Sequence, residues 1–200
     1  MDRVTHDSLL TLEAYAKARQ EFRAHVMAHK KNRTIHLGKN VTLIFEDELT
    51  VRYQIQEMLR AEKIFDENGI QDELEAYNPL IPDGTNWKAT MLVEFPDPVE
   101  RAARLRELIG IEDRVWVKIE GFDPVHAIAD EDMERETEEK TSSVHFLRFE
   151  LSPAMIDALH NGASLSMGIA HSSYDASCDP VQSGVRDSLI NDLVATDGAS

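Results

Sequence analysis

Apolar residues recur every three or four positions through the first third of the chain, which is the spacing of amphipathic helices. A stripe from Leu12 to His29 predicts a first helix, with Asp7 as its expected N-cap. A second stripe predicts a helix over Glu48–Phe65, and Asp47 is a suitable N-cap for it. The N-terminal third is therefore predicted to be mainly helical.

The second half of the chain alternates every two residues, which is typical of half-buried strands. Two short β-branched runs within 34–46 flank a glycine and predict a β-hairpin. The later predicted strands are Trp87–Phe95, Val115–Ile119, Val125–Ala129, Val144–Leu151 and Leu165–His171. Helices followed by strands with short connections predict an α+β fold, in which N-terminal helices and a hairpin pack with a mainly antiparallel sheet of about five strands.

Composition divides the chain into two parts. Residues 1–174 carry the periodic elements and are predicted to form one α+β domain. Residues 175–200 are acidic and rich in serine, which predicts a loosely held C-terminal tail with an amphipathic piece around Val185–Leu193.

Charged residues fall within the apolar helical stripes and need partners there. We expect Arg19, Arg52 and Glu57 to meet between the first two helices, because an unpaired buried guanidinium is costly.

The net charge excludes one class of partner and favours another. With 21 Lys and Arg against 37 Asp and Glu, the formal charge is −16, which disfavours nucleic acid and anionic membranes and favours a protein partner with a basic face. Much of this charge falls in the run Asp130–Glu139, which is most simply a solvated segment. The start of the chain shows no signal-peptide pattern, so we expect a cytoplasmic protein.

Several kinds of chemistry lack sequence support. A single cysteine, Cys178, excludes an internal disulfide and a four-cysteine metal site within this chain. The chain contains neither a glycine-rich phosphate loop nor a nucleophile elbow, so no cofactor-binding motif is predicted. The segment Tyr77–Lys88 contains two prolines, two aromatic residues and a cation, but a rigid connection explains it better than a binding loop.

The histidines are the strongest candidates for chemistry. His126, His145 and His171 each fall on the more apolar phase of a predicted strand. If those strands are neighbours, the three imidazoles would form a site for a divalent metal of the zinc or iron type. Hydrogen-bonded packing of each histidine is the alternative. On the first helix, Glu21, His25 and His29 form a second, less favoured set at spacings of four.

Four long segments carry a resemblance to a known family. They are Phe45–Leu59, Ala76–Thr90, Ala127–Asp132 and Lys140–Glu150, which together closely resemble the bacterial domain-of-unknown-function family 3501 over about residues 5–174. The resemblance implies neighbouring genes for a rubrerythrin-like protein and an iron–sulfur protein like heterodisulfide reductase. It implies no catalytic residues.

Two hypotheses follow for the function. The first is a non-catalytic accessory protein of an oxidative-stress or thiol-redox system, which binds a rubrerythrin-like or iron–sulfur partner. The second is a small metalloenzyme with His126, His145 and His171 as ligands.

Overall fold

A computed structural model describes residues 2–133, 135, 137 and 139–195. Within these residues, six α-helices and nine strands are arranged around two antiparallel sheets, which confirms the α+β class. The helices are α1 (Leu12–Lys30), α2 (Glu48–Glu62), α3 (Glu67–Tyr77), α4 (Pro98–Glu107), α5 (Pro153–His160) and α6 (Ser183–Ile190). The strands are β1 (Thr34–Leu37), β2 (Val41–Phe45), β3 (Asn86–Val93), β4 (Val115–Ile119), β5 (Val125–His126), β6 (Ile128–Ala129), β7 (Val144–Glu150), β8 (Leu165–His171) and β9 (Tyr174–Cys178).

The predicted antiparallel sheet of about five strands is confirmed, and four further strands form a second sheet. One has the order β1-β2-β3-β7-β6 and the other the order β5-β4-β8-β9. The run 125–129 divides between them, because β5 pairs with β4 while β6 pairs with β7. Both sheets contribute to one apolar core, whose fully buried members include Phe45, Trp87 and Phe149 from the first sheet and Val117 and Met167 from the second.

The helical segment adds a smaller apolar cluster beside the main core. It contains Val51, Ile55 and Leu59 of α2 together with Leu74 of α3. The Asp47 side chain caps α2 by accepting from the backbone N–H of Thr50, as the sequence predicts. Across the described ranges, no helix combines the length and the apolar character needed to cross a lipid bilayer.

The start of α1 and the end of α2 differ from the predictions. Thr11 rather than Asp7 caps α1, because its side chain accepts from the backbone N–H of Ala14. Lys63 ends α2 in a left-handed conformation with φ 57°, so the helix stops before Phe65.

The C-terminal segment corrects the expectation of a loosely held tail from residue 175 onward. Strand β9 pairs with β8, and α6 packs into the main core with Leu189 fully buried. The indole N–H of Trp87 donates to the Leu189 carbonyl oxygen at 2.8 Å, which fastens α6 to the five-stranded sheet. The predicted amphipathic piece is this helix, and residues 196–200 lie outside the described residues.

Candidate functional site

The three histidines predicted as metal ligands lie in different parts of the fold. His145 is on β7 of the five-stranded sheet and fully buried, in the phase that the sequence predicts. His126 is exposed on β5, an edge strand of the other sheet. His171 ends β8, where its Nε2 lies 3.0 Å from the Ile109 carbonyl oxygen and its Nδ1 accepts from the Ser173 N–H at 3.1 Å.

A different set of residues surrounds His145. Among the described residues, Glu112, Asp130 and His145 form the group whose potential metal-ligand atoms all lie within 4.8 Å of one another. With Thr141, which contacts two of them, we call this group the His145 cluster. Of the three histidines predicted as metal ligands, the cluster contains His145 but neither His126 nor His171.

Each member of the His145 cluster comes from a separate segment of the chain. Glu112 begins a short 3₁₀-helix ahead of β4, and Asp130 directly follows β6. Thr141 lies just ahead of β7, which carries His145. The segment between Asp130 and Thr141 therefore begins and ends at the cluster, and the cluster joins elements of both sheets.

Asp130 fixes the orientation of the imidazole. Its Oδ2 lies 2.6 Å from His145 Nδ1, and its Oδ1 accepts from the Phe146 N–H at 2.9 Å. The Arg135 guanidinium donates to the same Oδ1 at 3.2 Å and lies 4.6 Å from the centre of the Phe146 ring. Asp130 adopts φ 49°, a left-handed conformation that aspartate tolerates better than most residues. In this backbone conformation the carboxylate lies against the ring.

Oxygen atoms surround the other ring nitrogen. His145 Nε2 lies 3.0 Å from Thr141 Oγ1, 3.1 Å from the Ser142 carbonyl oxygen and 3.7 Å from Glu112 Oε2. The Thr141 hydroxyl donates to Glu112 Oε2 at 3.2 Å, so towards the ring it acts as an acceptor. Both ring nitrogens therefore face acceptors, and either a proton or a metal ion on Nε2 would satisfy the oxygens beside it.

The cluster is closed to solvent. The side chains of His145, Glu112 and Asp130 are 0%, 6% and 9% exposed. A buried carboxylate is retained only when it is paired, hydrogen-bonded or bound to a metal. The arrangement can thus act as an ion pair that joins the two sheets, or as a metal centre with nitrogen and oxygen ligands.

The remaining candidates lie outside the His145 cluster. Glu21 and His25 are exposed, and His29 Nε2 lies 2.5 Å from Asp47 Oδ2. In the segment Tyr77–Lys88, the Asn78 side chain exchanges two 2.9 Å hydrogen bonds with the Val4 backbone and so fastens the N-terminal segment.

The predicted meeting of charges between the first two helices is confirmed for one pair. Arg19 donates to both carboxylate oxygens of Glu57 at 2.7 and 2.9 Å, and the Tyr15 hydroxyl donates to the same carboxylate at 2.6 Å. Arg52 instead lies 3.3 Å from Glu48 and over the Phe22 ring.

Together these features define an α+β protein in which two antiparallel sheets enclose one core and meet at a buried histidine–carboxylate cluster. The chain belongs to the family described as protein of unknown function DUF3501, whose model matches residues 3–193. This confirms the family that the sequence resembles.

The fold also has a counterpart among solved structures. A crystal structure of a protein of unknown function from Burkholderia pseudomallei K96243 is 54% identical, with a TM-score of 0.92 over 96% of this chain and 100% of the other. A search of the curated proteins finds no match.

Proposed function

We propose that the His145 cluster binds a divalent transition-metal ion of the zinc or iron type. One observation supports this most strongly: the Asp130 carboxylate lies on Nδ1 of His145, while Nε2 faces the oxygens of Glu112 and Thr141. A histidine ligand typically donates its second ring N–H to a carboxylate, a backbone carbonyl or a water, which sets the ring's orientation and raises its basicity.

The spacing of the donor atoms suits such an ion. Ligands about 2.0–2.2 Å from a tetrahedral ion stand roughly 3.4 Å from one another. The distances from His145 Nε2 to Thr141 Oγ1 and Glu112 Oε2 are 3.0 and 3.7 Å and bracket that value. Because metal ligands bind in their deprotonated forms, the affinity of the site for the metal should increase with pH.

The burial of the cluster favours a non-catalytic role for the metal. Catalytic zinc sites keep one coordination position open to water or substrate. Here the His145 side chain is fully buried and the two carboxylates are nearly so. We therefore favour an accessory protein whose metal joins the two sheets over a small metalloenzyme.

Elemental analysis of protein purified without an affinity tag tests the metal site. We expect about one equivalent of zinc or iron per chain in the wild type, and much less in the Glu112→Gln variant. Glutamine keeps an acceptor for the Thr141 hydroxyl but removes the charge that attracts the ion. His126→Gln is the matched control, because His126 is exposed and lies outside the cluster.

The same samples distinguish a failed proposal from a failed variant. Circular dichroism of each variant shows whether it folds. Wild-type protein that stays metal-free after incubation with Zn²⁺, Fe²⁺ or Co²⁺ would overturn the proposal, as would a folded Glu112→Gln variant that keeps its metal.

A second proposal concerns partners. We propose that the protein docks to a partner with a basic face, within an oxidative-stress or thiol-redox system. The charge of −16 supports the docking, and exposed acids of the segment 130–139, such as Glu131, Asp132 and Glu139, contribute to it. The redox setting, with a rubrerythrin-like or iron–sulfur partner, rests on the family resemblance.

Salt dependence tests the docking. Association with a co-purified ferritin-like or iron–sulfur protein should slow as salt rises, mainly through the on-rate. Changing four glutamates to glutamine should slow it at low salt. These are Glu139 and, outside the described residues, Glu134, Glu136 and Glu138. Binding that is indifferent to both changes would exclude this segment as the docking surface.

A further inference from the structure

The edges of the two sheets meet at one end and leave a cavity towards the other. Strand β1 is an edge of the five-stranded sheet, and β9 is an edge of the four-stranded sheet. Near the β1–β2 turn they are joined by Tyr174, whose hydroxyl donates to the Leu37 carbonyl oxygen at 2.6 Å and accepts from the Asn40 N–H at 3.1 Å. A cavity of about 550 Å³ lies between residues 34–36 of β1, the end of β9 and the last turn of α1.

The charged groups that line this cavity are all cationic or, for histidine, able to become so. They are Lys30, Lys31 and His36, and no lining residue is acidic, although the chain has 37 acids and 21 lysines and arginines. Within the described part of the chain, neither lysine forms an ion pair or a side-chain hydrogen bond. The Lys30 ammonium lies 5.9 Å from the centre of the Tyr53 ring, which is a cation–π contact.

Apolar side chains form most of the rest of the wall, together with Thr34, Gln182 and Cys178. Ile35, Val181 and Val185 are buried at 4%, 4% and 7% exposure, and Met27 lies on the α1 side. Ligand pockets are typically mostly apolar cavities of about 300–1,000 Å³ with a few polar groups that fix orientation. The cavity matches that description in both size and lining.

We propose that this cavity binds an anionic small molecule with an apolar body, of which a medium-chain carboxylate is the simplest representative. The lysine ammoniums receive the anionic head, and the apolar body lies against Ile35, Val181 and Val185. A cavity lined by two lysines and by no acidic residue, in a protein of charge −16, concentrates an anion there that the rest of the surface repels.

The single cysteine gives a direct probe of occupancy. Cys178 lines the cavity, and burial raises the pKa of its thiol, so labelling is followed at mildly alkaline pH. An uncharged reagent such as 4,4′-dithiodipyridine is suitable. The Cys178 thiolate attacks one sulfur of the reagent, the reagent's S–S bond breaks, and the other half leaves as a coloured thiopyridone. The bound ligand covers the thiol and slows this reaction.

Three additives separate the two parts of the proposed ligand. Octanoate has an anionic head and an apolar body, inorganic phosphate has only the charge, and octanol has only the body. We expect octanoate to slow labelling saturably, at concentrations where the other two leave it unchanged. Labelling that octanoate does not slow, or that phosphate or octanol slows equally, would overturn the proposal.

A charge variant with a matched control tests the lysines. The Lys30→Gln/Lys31→Gln double variant should need about fivefold more octanoate for the same protection, because each exposed ion pair contributes a small factor in affinity. Lys39→Gln changes an exposed lysine of the β1–β2 turn outside the cavity. Octanoate should protect Cys178 of this variant as well as it protects Cys178 of the wild type. If both lysines serve only the dipole at the end of α1, the double variant will protect like wild type, and the proposal fails.

Discussion

Replacing Arg33 should destabilise the protein more than replacing any exposed arginine. Its side chain is 1% exposed, and its guanidinium contacts both oxygens of Asp192 at 2.5 and 3.2 Å. It also donates to the Phe45 and Glu46 carbonyl oxygens at 2.9 and 3.1 Å and lies 3.3 Å from the Asp47 carboxylate. One side chain therefore connects β2, the N-cap of α2 and the residues just after α6.

The Arg33→Met variant removes the charge and the hydrogen-bond donors of the guanidinium. Methionine fills much of the same space, so the main effects are that the Asp192 carboxylate stays buried without its cation and that two backbone carbonyl oxygens lose a donor. Removing one partner from a buried ion pair costs about 3–5 kcal/mol. With a typical urea m-value of about 2 kcal/mol/M, the unfolding midpoint should fall by about 1.5–2.5 M.

Urea unfolding followed by far-UV circular dichroism measures this loss. Arg104→Met is the control, because the Arg104 side chain is 50% exposed and its change should stay within about 0.5 kcal/mol. The double variant Arg33→Met/Asp192→Leu should recover part of the stability, since it removes both charges. An Arg33→Met midpoint equal to that of Arg104→Met would refute the account of α6 as an integral part of the fold.

Two further predictions concern carboxyl groups of known environment. The hydrogen bond from Arg19 lowers the pKa of Glu57 to about 2, so its contribution to stability should be present above about pH 4.5 and lost as the pH falls towards 2. Glu57→Gln should therefore lower the urea midpoint at pH 7. It should also reduce the fall in the midpoint between about pH 4.5 and pH 2. Burial raises the pKa of Asp192 from 3.8 to about 6, so the folded state holds its proton more tightly than the unfolded chain does. The unfolding free energy should then increase as the pH falls from 7 to 5, and a titration of Asp192→Asn should lack this increase.

Local signals were sufficient for much of the fold. The cap Asp47 precedes a helix with the predicted start, because an N-cap acts on the backbone within three residues. Tertiary contacts decided the C-terminal segment instead. Its polar composition predicts a tail, but Leu189 and the Arg33–Asp192 pair hold it in the core, and neither contact is visible in the local pattern.

The candidate site was predictable only in part. Alternation identified the buried phase of β7 and so placed His145 correctly, but it gives the face of a strand and not the sheet to which the strand belongs. The alternation therefore did not show that His126 and His171 lie in the other sheet.

The two carboxylates of the cluster were not predicted from the sequence, which contains 37 Asp and Glu residues. A usable signal existed for Asp130, because pairing Ile128–Ala129 with β7 as an antiparallel hairpin places the next residue opposite Phe146, beside His145. Glu112 comes from a separate segment next to β4, and no local pattern connects it to His145.

X-ray absorption spectroscopy of the zinc-loaded protein tests the central claim most directly. We expect one imidazole ligand, with oxygen ligands at about 2.0–2.2 Å and no sulfur near 2.3 Å. That spectrum should be lost in the Glu112→Gln variant and kept in the His126→Gln variant. A spectrum with three imidazoles would instead indicate a site built from His126, His145 and His171. A sulfur ligand would place the zinc at Cys178, and either result would contradict a metal centre in the His145 cluster.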